Sequence, residues 1–453
     1  MQALENIFSV AVDYAWGAPL LILLLGGGIT LTLYSRFLPF FGAKHTLEIL
    51  RGKFDREEDP GDISHFQALS TALSATIGMG NIGGVAIAIT QGGPGAVFWM
   101  WMAALVGMAT KFFTCTLAVM YRGTDSLGKI QGGPMYYIEL GLGKKFRFLA
   151  IFFSLCGTIG CLAMFQANQV AEILTEAYGV ETWFTGLVLA VLVGVVIVGG
   201  LKRIAKVASR LVPSMCLLYL AVSVYVLVSH YQLIPQVFSQ ILHDAFTGTA
   251  AAGGVAGISV MTVFQTGIKR AAFSNEAGMG TAPMAHGAAK TTEPVREGLV
   301  AMIGPFIDTI GVCSLTAFVI LSGGSWQTGG IKGVSLTIQA FEAVMGDFGK
   351  VALVAIVLLF GISTMFGYSY YGKKCFNYLF GAEHGRIYEF FYLVMLFVGA
   401  VWSANLVVNL VDTAFAMMAL PNMLATLLLA PRVMEAAKVY LSRYRPASSA
   451  KPF

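Results

Sequence analysis

The stretch TIGMGNIGG, residues 76–84, carries glycines at the spacing of a dinucleotide-binding loop. Three of them, beginning at Gly78, form a literal G-x-G-x-x-G. Such a loop must follow a strand and precede a helix, and an acidic residue must occur about 20 residues later. No Asp or Glu occurs between Asp62 and Asp125, and both flanks of the stretch are apolar. The stretch is therefore not a nucleotide site.

A second stretch, GTDSLGKI at 123–130, resembles a phosphate-binding loop as far as Lys129. The magnesium-binding Ser or Thr that should follow the lysine is replaced by Ile130. We interpret the match as chance, in a short loop between two apolar segments. An ATP-driven pump contained in this chain is therefore not expected.

The composition indicates a membrane protein. Of 453 residues, 57% are hydrophobic and only 12% are charged, whereas soluble domains have about 25% charged residues. A helix needs roughly 20 apolar residues to cross a bilayer. We predict an all-α polytopic membrane protein with about 11 transmembrane helices. The predicted spans lie at roughly 15–35, 64–90, 96–121, 147–176, 182–200, 207–229, 252–286, 296–322, 346–372, 387–408 and 412–431.

The charges predict the orientation of the chain. Most of the 29 Lys and Arg residues fall in alternate loops, such as 202–210, whereas Lys332 and Lys350 stand alone in the opposite loops. The positive-inside rule then places the C-terminus in the cytoplasm and the N-terminus outside, in the cell (inner) membrane. This basic charge faces anionic lipid, so no nucleic-acid partner is expected.

The glycines at 78–84 lie in the middle of the second span. Inside hydrocarbon every backbone group must be paired, so they indicate either close helix packing or a deliberate break that frees backbone groups for a ligand. Asn81 favours the break, because it adds a side-chain carbonyl to the freed backbone oxygens. Gly80 would open a half-helix whose N–H groups suit a carboxylate. Carbonyls near Thr76 and Ile77 would suit sodium.

The seventh span contains a matching interruption, GIKRAAFSNEAGMGTAP at 267–283. Charges at that depth are tolerated only where they face protein or water. Counting from each break gives two groups of five spans that run in opposite directions. Broken first helices in both groups predict a five-plus-five inverted-repeat transporter with its site at mid-membrane.

This pattern divides the chain into four parts. We expect an extra N-terminal transmembrane helix and a cytoplasmic amphipathic helix in 1–63, and a first inverted repeat in 64–229. A second repeat follows in 230–431, and 432–453 forms a basic cytoplasmic tail. Two segments too short to cross, 132–143 and 333–346, are interpreted as re-entrant or capping helices.

The chain resembles the alanine or glycine:cation symporter family, which has a leucine-transporter-like fold within the amino acid-polyamine-cation superfamily. The matching stretches run from the first span to the eleventh. They are GDISHFQALSTALSATIGMGNIGGVA (61–86), GGPGAVFWMWMAALVGMATK (92–111), QGGPMYY (131–137), KRAAFSNEAGMGTAP (269–283) and YSYYGKKCF (368–376).

The resemblance implies sodium-coupled import of a small neutral amino acid, alanine or glycine before others, by alternating access. It implies no enzyme activity, no cofactor besides the sodium ion, and a monomer in the lipid bilayer. The substrate residues that it implies are Met79, Gly80, Gln166, Thr266, Gly267, Ile268, Lys269, Arg270 and Ala271, the last six in an unwound part of the seventh span. The implied sodium ligands are Thr76, Ile77, Asn81, Ser363 and Thr364.

Two positions depart from the family pattern. Met79 stands where small-substrate members often have Thr or Ser, and Thr266 stands where an aromatic residue can occur. Glycine, serine and glutamine therefore remain open as substrates beside alanine. A channel and a polytopic enzyme are rival readings, but neither a ring of pore charges nor a catalytic dyad is evident.

Several other polar residues lie at bilayer depth. Lys111 is either a coupling residue or a lysine bound to backbone carbonyls. Asp308 and Glu276 either carry a proton in place of sodium or pair with nearby Lys269 and Arg270. The isolated histidines His65 and His286 are expected to be packing or interfacial residues.

Overall fold

The structure is a computed structural model that describes residues 2–38, 42–248, 258–327 and 333–443. These residues are almost entirely helical, and in the first half they also form one short antiparallel hairpin. The elements of the first half are α1 (Gln2–Ala15), α2 (Ala18–Tyr34), α3 (Ala43–Leu50), α4 (His65–Thr76), α5 (Gly80–Gly92), α6 (Gly95–Met120), β1 (Gly123–Thr124), β2 (Ile130–Gln131), α7 (Arg147–Gly160), α8 (Met164–Tyr178), α9 (Thr182–Ile197) and α10 (Gly200–Ser229).

The second half is helical wherever it is described in regular structure. Its elements are α11 (Ile234–Thr247), α12 (Val260–Asn275), α13 (Ala282–His286), α14 (Pro294–Gly323), α15 (Val334–Met345), α16 (Asp347–Phe380), α17 (Gly385–Val401) and α18 (Ala404–Ser442). The predicted residues 252–257 of the seventh span and 444–453 of the tail lie outside the described residues.

Within the described residues, seven helices are long and apolar enough to cross a membrane, or nine if each of two bent pairs counts as one span. The bent pairs are α1 with α2, at 46°, and α4 with α5, at 52°. Two predicted spans fall short of this length. The fifth is the 16-residue helix α9, and the seventh is divided between α12 and the five-residue α13. Eleven spans therefore remain a prediction.

The break between α4 and α5 follows from its sequence. A capping box at Ser64 and Gln67 starts α4, and the helix ends where Ile77 turns to an extended ψ of 96°. Gly78 must stay a glycine, because a Cβ there would overlap the Thr364 side chain. The chain becomes helical again at Gly80, in a wide turn that runs to Gly84. The predicted break thus lies where the glycines are.

The break between α12 and α13 depends on three residues with left-handed backbone. Glu276 has a φ of 55°, and Gly278 and Gly280 each have a φ of 91°. The positive φ at Glu276 is unfavourable for a residue with a Cβ, whereas glycine adopts it readily. The helix therefore ends at Asn275 and does not restart before Ala282.

Helix α6 brings the two broken spans together. A Cβ on Gly107 would lie 2.8 Å from that of Ala277, in the second break. A Cβ on Gly92, where α5 ends, would lie 2.9 Å from Cβ of Thr266 on α12. Small residues let helices approach closely in membranes, so glycines set this packing.

Three short helices predicted outside the spans are present in the structure. The helix predicted within 40–53 is present as α3, although residues 40 and 41 lie outside the described residues. The helix predicted within 132–143 is the short helix Pro134–Tyr136 with its continuation Tyr137–Gly141, and the helix predicted within 333–346 is α15. The segment 123–130 is a hairpin rather than an irregular loop, because Asp125 Oδ1 accepts from the backbone N–H groups of Leu127 and Lys129. Helix α11 was not predicted.

Candidate functional site

Asn81 ties the first break together. Its Oδ1 accepts a hydrogen bond from the backbone N–H of Gly78 at 2.8 Å, and its own backbone N–H donates to Gly78 O at 3.1 Å. Its Nδ2 donates to Asp308 Oδ1 on α14 at 2.7 Å. Asn81 is fully buried. The predicted sodium ligand is thus also the link between the first break and a buried carboxylate.

Asp308 lies among neutral donors. Besides Asn81, Ser274 Oγ at 2.9 Å and Thr309 Oγ1 at 2.8 Å donate to its Oδ2. Its side chain is fully buried, and it forms no salt bridge with the described part of the chain. A buried carboxylate surrounded by hydroxyl and amide groups, without a counter-charge in contact, is suited to bind a cation.

The two breaks meet at this carboxylate. A Cβ on Gly80 would lie 3.2 Å from Ser274 Cα, at the end of α12. Asn275 Nδ2 donates to Thr309 Oγ1 at 3.0 Å, and Asn275 Oδ1 accepts from the backbone N–H of Ala277 at 2.9 Å. Residues from both breaks and from α14 therefore form one polar cluster.

Glu276 is a second buried carboxylate without a cation in contact. Its Oε1 accepts from Tyr368 OH on α16 at 2.5 Å, and its Oε2 accepts from Thr281 Oγ1. The expected pairing of Glu276 or Asp308 with Lys269 or Arg270 is wrong. Lys269 and Arg270 lie on the preceding turns of α12, where they have another partner.

That partner is Asp412 on α18. Lys269 Nζ and an Arg270 guanidinium nitrogen each lie 3.2 Å from Asp412 Oδ2. Trp16, at the bend between α1 and α2, donates from Nε1 to the Asp412 carbonyl at 3.0 Å, and its ring faces Lys269 Nζ. Sequence reasoning could not find this pair, because Asp412 lies 142 residues after Arg270.

The unwound segment was predicted in the wrong place. Residues 266–271, Thr266 to Ala271, are part of the continuous helix α12, and the interruption is at 276–281 instead. Gly267 packs on α6, since a Cβ there would lie 2.6 Å from Trp99 Cβ. Ile268 and Ala271 are buried. The charges at 269 and 270 do not break the helix, because both contact the Asp412 carboxylate.

The predicted substrate residues Met79 and Gln166 both lie near Gly361 of α16, Met79 through its side chain and Gln166 through its backbone carbonyl. A Cβ on Gly361 of α16 would lie 4.0 Å from Met79 Sδ and 3.9 Å from the Gln166 carbonyl oxygen. Met79 is fully buried and precedes the first helical residue of α5, Gly80. Gln166 is buried on α8, and its Oε1 accepts no hydrogen bond from the described residues. An unsatisfied buried acceptor calls for a donor from outside the protein.

Three aromatic side chains pack together in this region. The ring of Phe273 lies 5.4 Å from that of Phe165 and 5.8 Å from that of Phe415. The Arg270 guanidinium lies 5.9 Å from the centre of the Phe273 ring. The ion pair with Asp412 therefore sits directly beyond an apolar layer next to Gln166.

The predicted hydroxyl pair on α16 lies at the first break. Ser363 Oγ hydrogen-bonds to Ser74 O at 3.2 Å and to Phe360 O at 3.1 Å, and Thr364 Oγ1 donates to Phe360 O at 3.0 Å. The Thr76 hydroxyl bonds back to the Ala72 carbonyl of its own helix at 3.2 Å. These hydroxyls are satisfied by backbone carbonyls, and they remain next to Ile77, which is fully buried.

His65 and His286 are not isolated. The Nδ1 atoms of both bind the Glu297 carboxylate, His65 at Oε2 and His286 at Oε1, the latter at 2.6 Å. All three side chains are buried. They join the start of α4, the end of α13 and the start of α14, and a backbone bridge between Ile63 and Ala289 runs alongside. The single-sequence signal for this cluster is weak, since 232 residues separate His65 from Glu297.

A cavity of about 830 Å³ lies away from the breaks, beside the hairpin. Arg122, Asp125, Tyr136, Glu139 and Tyr378 are among its lining residues. None of the predicted substrate or sodium residues lines it. The cavity therefore lies beside the hairpin and is separate from the predicted site residues.

Comparison with known proteins identifies the family. The Sodium:alanine symporter family matches residues 1–451. Sodium/alanine symporter AgcS of Methanococcus maripaludis is 42% identical over 443 residues, which cover 96% of this chain and 97% of that protein. Probable sodium/glutamine symporter GlnT of Bacillus subtilis is 37% identical, with 97% and 91% covered.

A solved structure shows the fold. The crystal structure of MhsT in complex with L-phenylalanine aligns with a TM-score of 0.55 at 13% identity, covering 84% of this chain and 99% of that chain. The fold is thus leucine-transporter-like, as the sequence predicts, and the apolar helices make the protein a multi-pass membrane protein. The chain belongs to the sodium:alanine symporter family, whose members are transporters and not enzymes.

Proposed function

We propose that the protein is a sodium-coupled symporter that imports a small neutral amino acid, alanine or glycine before others, by alternating access. The observation that carries the proposal is the meeting of two helix breaks around the buried Asp308 carboxylate. Discontinuous helices at mid-membrane are where secondary transporters bind substrate and ion. Family membership supports sodium as the coupling ion.

The substrate would lie between Gly80, Gln166 and Gly361. Backbone N–H groups at the start of α5 suit its carboxylate, since a helix N-terminus favours an anion. The unpartnered Gln166 Oε1 suits its ammonium group as a hydrogen-bond acceptor. Met79 fills space beside Gly361, so the pocket favours a substrate with a small side chain.

Sodium would bind at one or both of two oxygen-rich positions. The first lies between Thr76, Ile77 and the hydroxyls of Ser363 and Thr364. The second lies at Asn81, where Asp308 and Ser274 add a carboxylate and a hydroxyl. Asp308 supplies the negative charge that the first position lacks.

The same proposal includes the architecture. Eleven spans would form inverted repeats at 64–229 and 230–431, after an extra helix in 1–63 and before the basic tail at 432–453. The N-terminus would lie outside and the C-terminus in the cytoplasm. We expect the protein to work as a monomer.

Alternating access would use the contacts that close the site at both ends. The ion pair of Arg270 with Asp412 would form the outer closure, and the two histidines that bind Glu297 would form the inner one. The inner closure lies on the side of the basic loops. Each must separate in turn for the substrate to pass.

A second candidate is transport of glutamine, serine or another neutral amino acid, driven by sodium or by protons. The relative whose name specifies glutamine favours it. The same two helix breaks would accommodate a larger substrate if Met79 moved away from Gly361.

Uptake into proteoliposomes tests both candidates. Labelled alanine, glycine, serine and glutamine are offered with sodium and proton gradients imposed separately. We expect sodium-driven accumulation of alanine or glycine, lost in Asn81→Ala and Gln166→Ala. Gln232→Ala is the control, because Gln232 is exposed and its Nε2 contacts the neighbouring Tyr231 hydroxyl at 3.4 Å. Uptake that follows only the proton gradient would overturn sodium coupling.

A further inference from the structure

Lys111 is a buried lysine without a polar partner among the described residues. It lies in the middle of α6 with 2% of its surface exposed. Its ammonium group forms no hydrogen bond and no salt bridge with the described residues. By contrast, Lys374, also buried, donates to the carbonyls of Gly132 and Met284 at 2.9 Å each. A charge at this depth is expensive, so an unpaired one indicates a function.

The ammonium group of Lys111 faces the helix that carries Asp308. A Cβ on Gly304 would lie 3.3 Å from Lys111 Nζ, and Asp308 follows four residues later on α14. Between them the helix widens into the π-helical turn Phe306–Cys313, so the two residues lie about one turn apart. A lysine side chain is long and flexible enough to cover this distance.

The same lysine lies close to the second break. Gly107, one turn before Lys111 on α6, packs on Ala277, which follows Glu276. Lys111, Asp308 and Glu276 are all buried, so two acidic side chains and one basic side chain share one buried region. None of the three forms a salt bridge with the described residues.

The charges of this group explain why a sodium carrier would keep a lysine here. With the three side chains ionised, the group carries one net negative charge, which one sodium ion neutralises. When sodium leaves, the carboxylates remain buried, and uncompensated buried charge opposes any rearrangement of the helices. A mobile ammonium group can then move toward the position that the ion has left.

We propose that Lys111 is a positioning residue that replaces sodium electrostatically at Asp308 and Glu276 while the empty carrier returns. This inference rests on the proposed function. Lys111 and sodium then compete for the same carboxylates, so each weakens the binding of the other. Net uptake requires the empty carrier to return, whereas exchange of external for internal substrate does not.

The test uses Lys111→Met and Lys111→Gln in the full-length protein. Sodium binding is measured in detergent as the sodium-dependent rise of the melting temperature, without amino acid. We expect the sodium concentration that gives half of this rise to be about tenfold lower than in the wild type, because the substitution removes a positive charge that repels sodium. In proteoliposomes we expect exchange of labelled for unlabelled alanine, or whichever amino acid the wild type takes up, to persist while net uptake falls at least about tenfold.

Two further variants separate the inference from a structural role. Lys111→Arg keeps the charge and should retain net uptake, and Lys374→Met removes the other buried lysine and should leave the sodium affinity unchanged. Loss of exchange and net uptake in equal proportion, or an unchanged sodium affinity in Lys111→Met, overturns the inference. Failure of both neutral variants to fold, where Lys374→Met folds, also overturns it in favour of a structural role. If the wild type shows no sodium response, the proposed function itself fails.

Discussion

Asn81 Nδ2 lies 2.7 Å from Asp308 Oδ1, so the first helix break is bonded to a carboxylate 227 residues later in the chain. The oxygen of the same Asn81 amide accepts a hydrogen bond from the backbone N–H of Gly78 inside the break. Any ion or substrate that changes the geometry at Asp308 is therefore coupled to the first break through one side chain.

Asp308→Asn should weaken sodium binding. The substitution keeps the shape of the side chain but removes its charge, and the new amide nitrogen can no longer accept from Ser274 and Thr309. We expect at least about a tenfold higher half-saturating sodium concentration, which corresponds to about 1.4 kcal/mol. The measurement is sodium-dependent uptake, supported by the sodium-induced shift of the melting temperature.

Asp244→Asn is the control for Asp308→Asn. Asp244 is a buried acidic residue on α11, where it contacts His243 at 3.0 Å and no part of either break. Its substitution should leave the sodium dependence unchanged. Equal effects of the two substitutions would contradict a specific role for Asp308.

Gly78→Ala should disrupt the first break. The added Cβ would overlap the Thr364 side chain, and overpacking of this kind costs about 1–3 kcal/mol. We expect a lower melting temperature and loss of uptake. Adding Thr364→Ala should restore the melting temperature, because the clashing hydroxyl is removed, but should not restore sodium-driven uptake if Thr364 contributes to the ion site.

Gly84→Ala is the matched substitution for Gly78→Ala. A Cβ at Gly84 meets nothing within 4 Å, and alanine is favoured over glycine in a helix by about 1 kcal/mol. Gly84→Ala should therefore keep uptake and raise stability slightly. A comparable loss in both variants would mean that helix flexibility, and not the contact with Thr364, determines the effect.

The sequence predicted those features that depend on local composition. Long apolar runs located the helices, and the glycines at 78–84 located the first break, because glycine is the weakest helix former other than proline. The second interruption lies within the predicted range 267–283, but the unwound segment was placed at 266–271, ten residues before the observed one at 276–281. Lys269 and Arg270 remain in a continuous helix, where both contact Asp412 from a distant span.

Contacts between distant segments could not be predicted from one sequence. The sharing of Glu297 by His65 and His286 depends on how three spans pack. The same is true of the Met79 side chain lying beside Gly361. The residue types at these positions suggested chemistry, but only the packing of the bundle determines which of them meet.

The Arg270–Asp412 pair should contribute more to stability than an exposed pair does. Both partners are buried, and removal of one partner of a buried pair costs about 3–5 kcal/mol. Arg270→Ala should therefore lower the melting temperature strongly, and Lys269→Ala less so, because the Lys269 side chain is 23% exposed. Lys53→Ala, which breaks an exposed pair with Glu48, should cost less than about 1 kcal/mol. A ranking in which Lys53→Ala equals Arg270→Ala would contradict the role of burial.

Glu297→Gln should loosen the inner closure. The carboxylate accepts from both His65 and His286, whereas an amide has one acceptor oxygen and one donor nitrogen, so one histidine keeps its bond only by becoming a neutral acceptor at Nδ1. We expect the ends of α4 and α13 to separate more often. A cysteine placed at Ala289, which is fully buried, should then react faster with a membrane-impermeant thiol reagent added from the side of the basic loops, in a background without native cysteines.

Glu293→Gln supplies the comparison for Glu297→Gln. Glu293 lies four residues earlier, and its carboxylate contacts Arg443, whose side chain is 59% exposed. Its substitution should leave the reaction rate at position 289 unchanged. Saturating sodium and substrate should slow the reaction in the wild type if the closure at Glu297 responds to the site. Equal rates in Glu297→Gln and Glu293→Gln would show that the two histidines pack without closing the pathway.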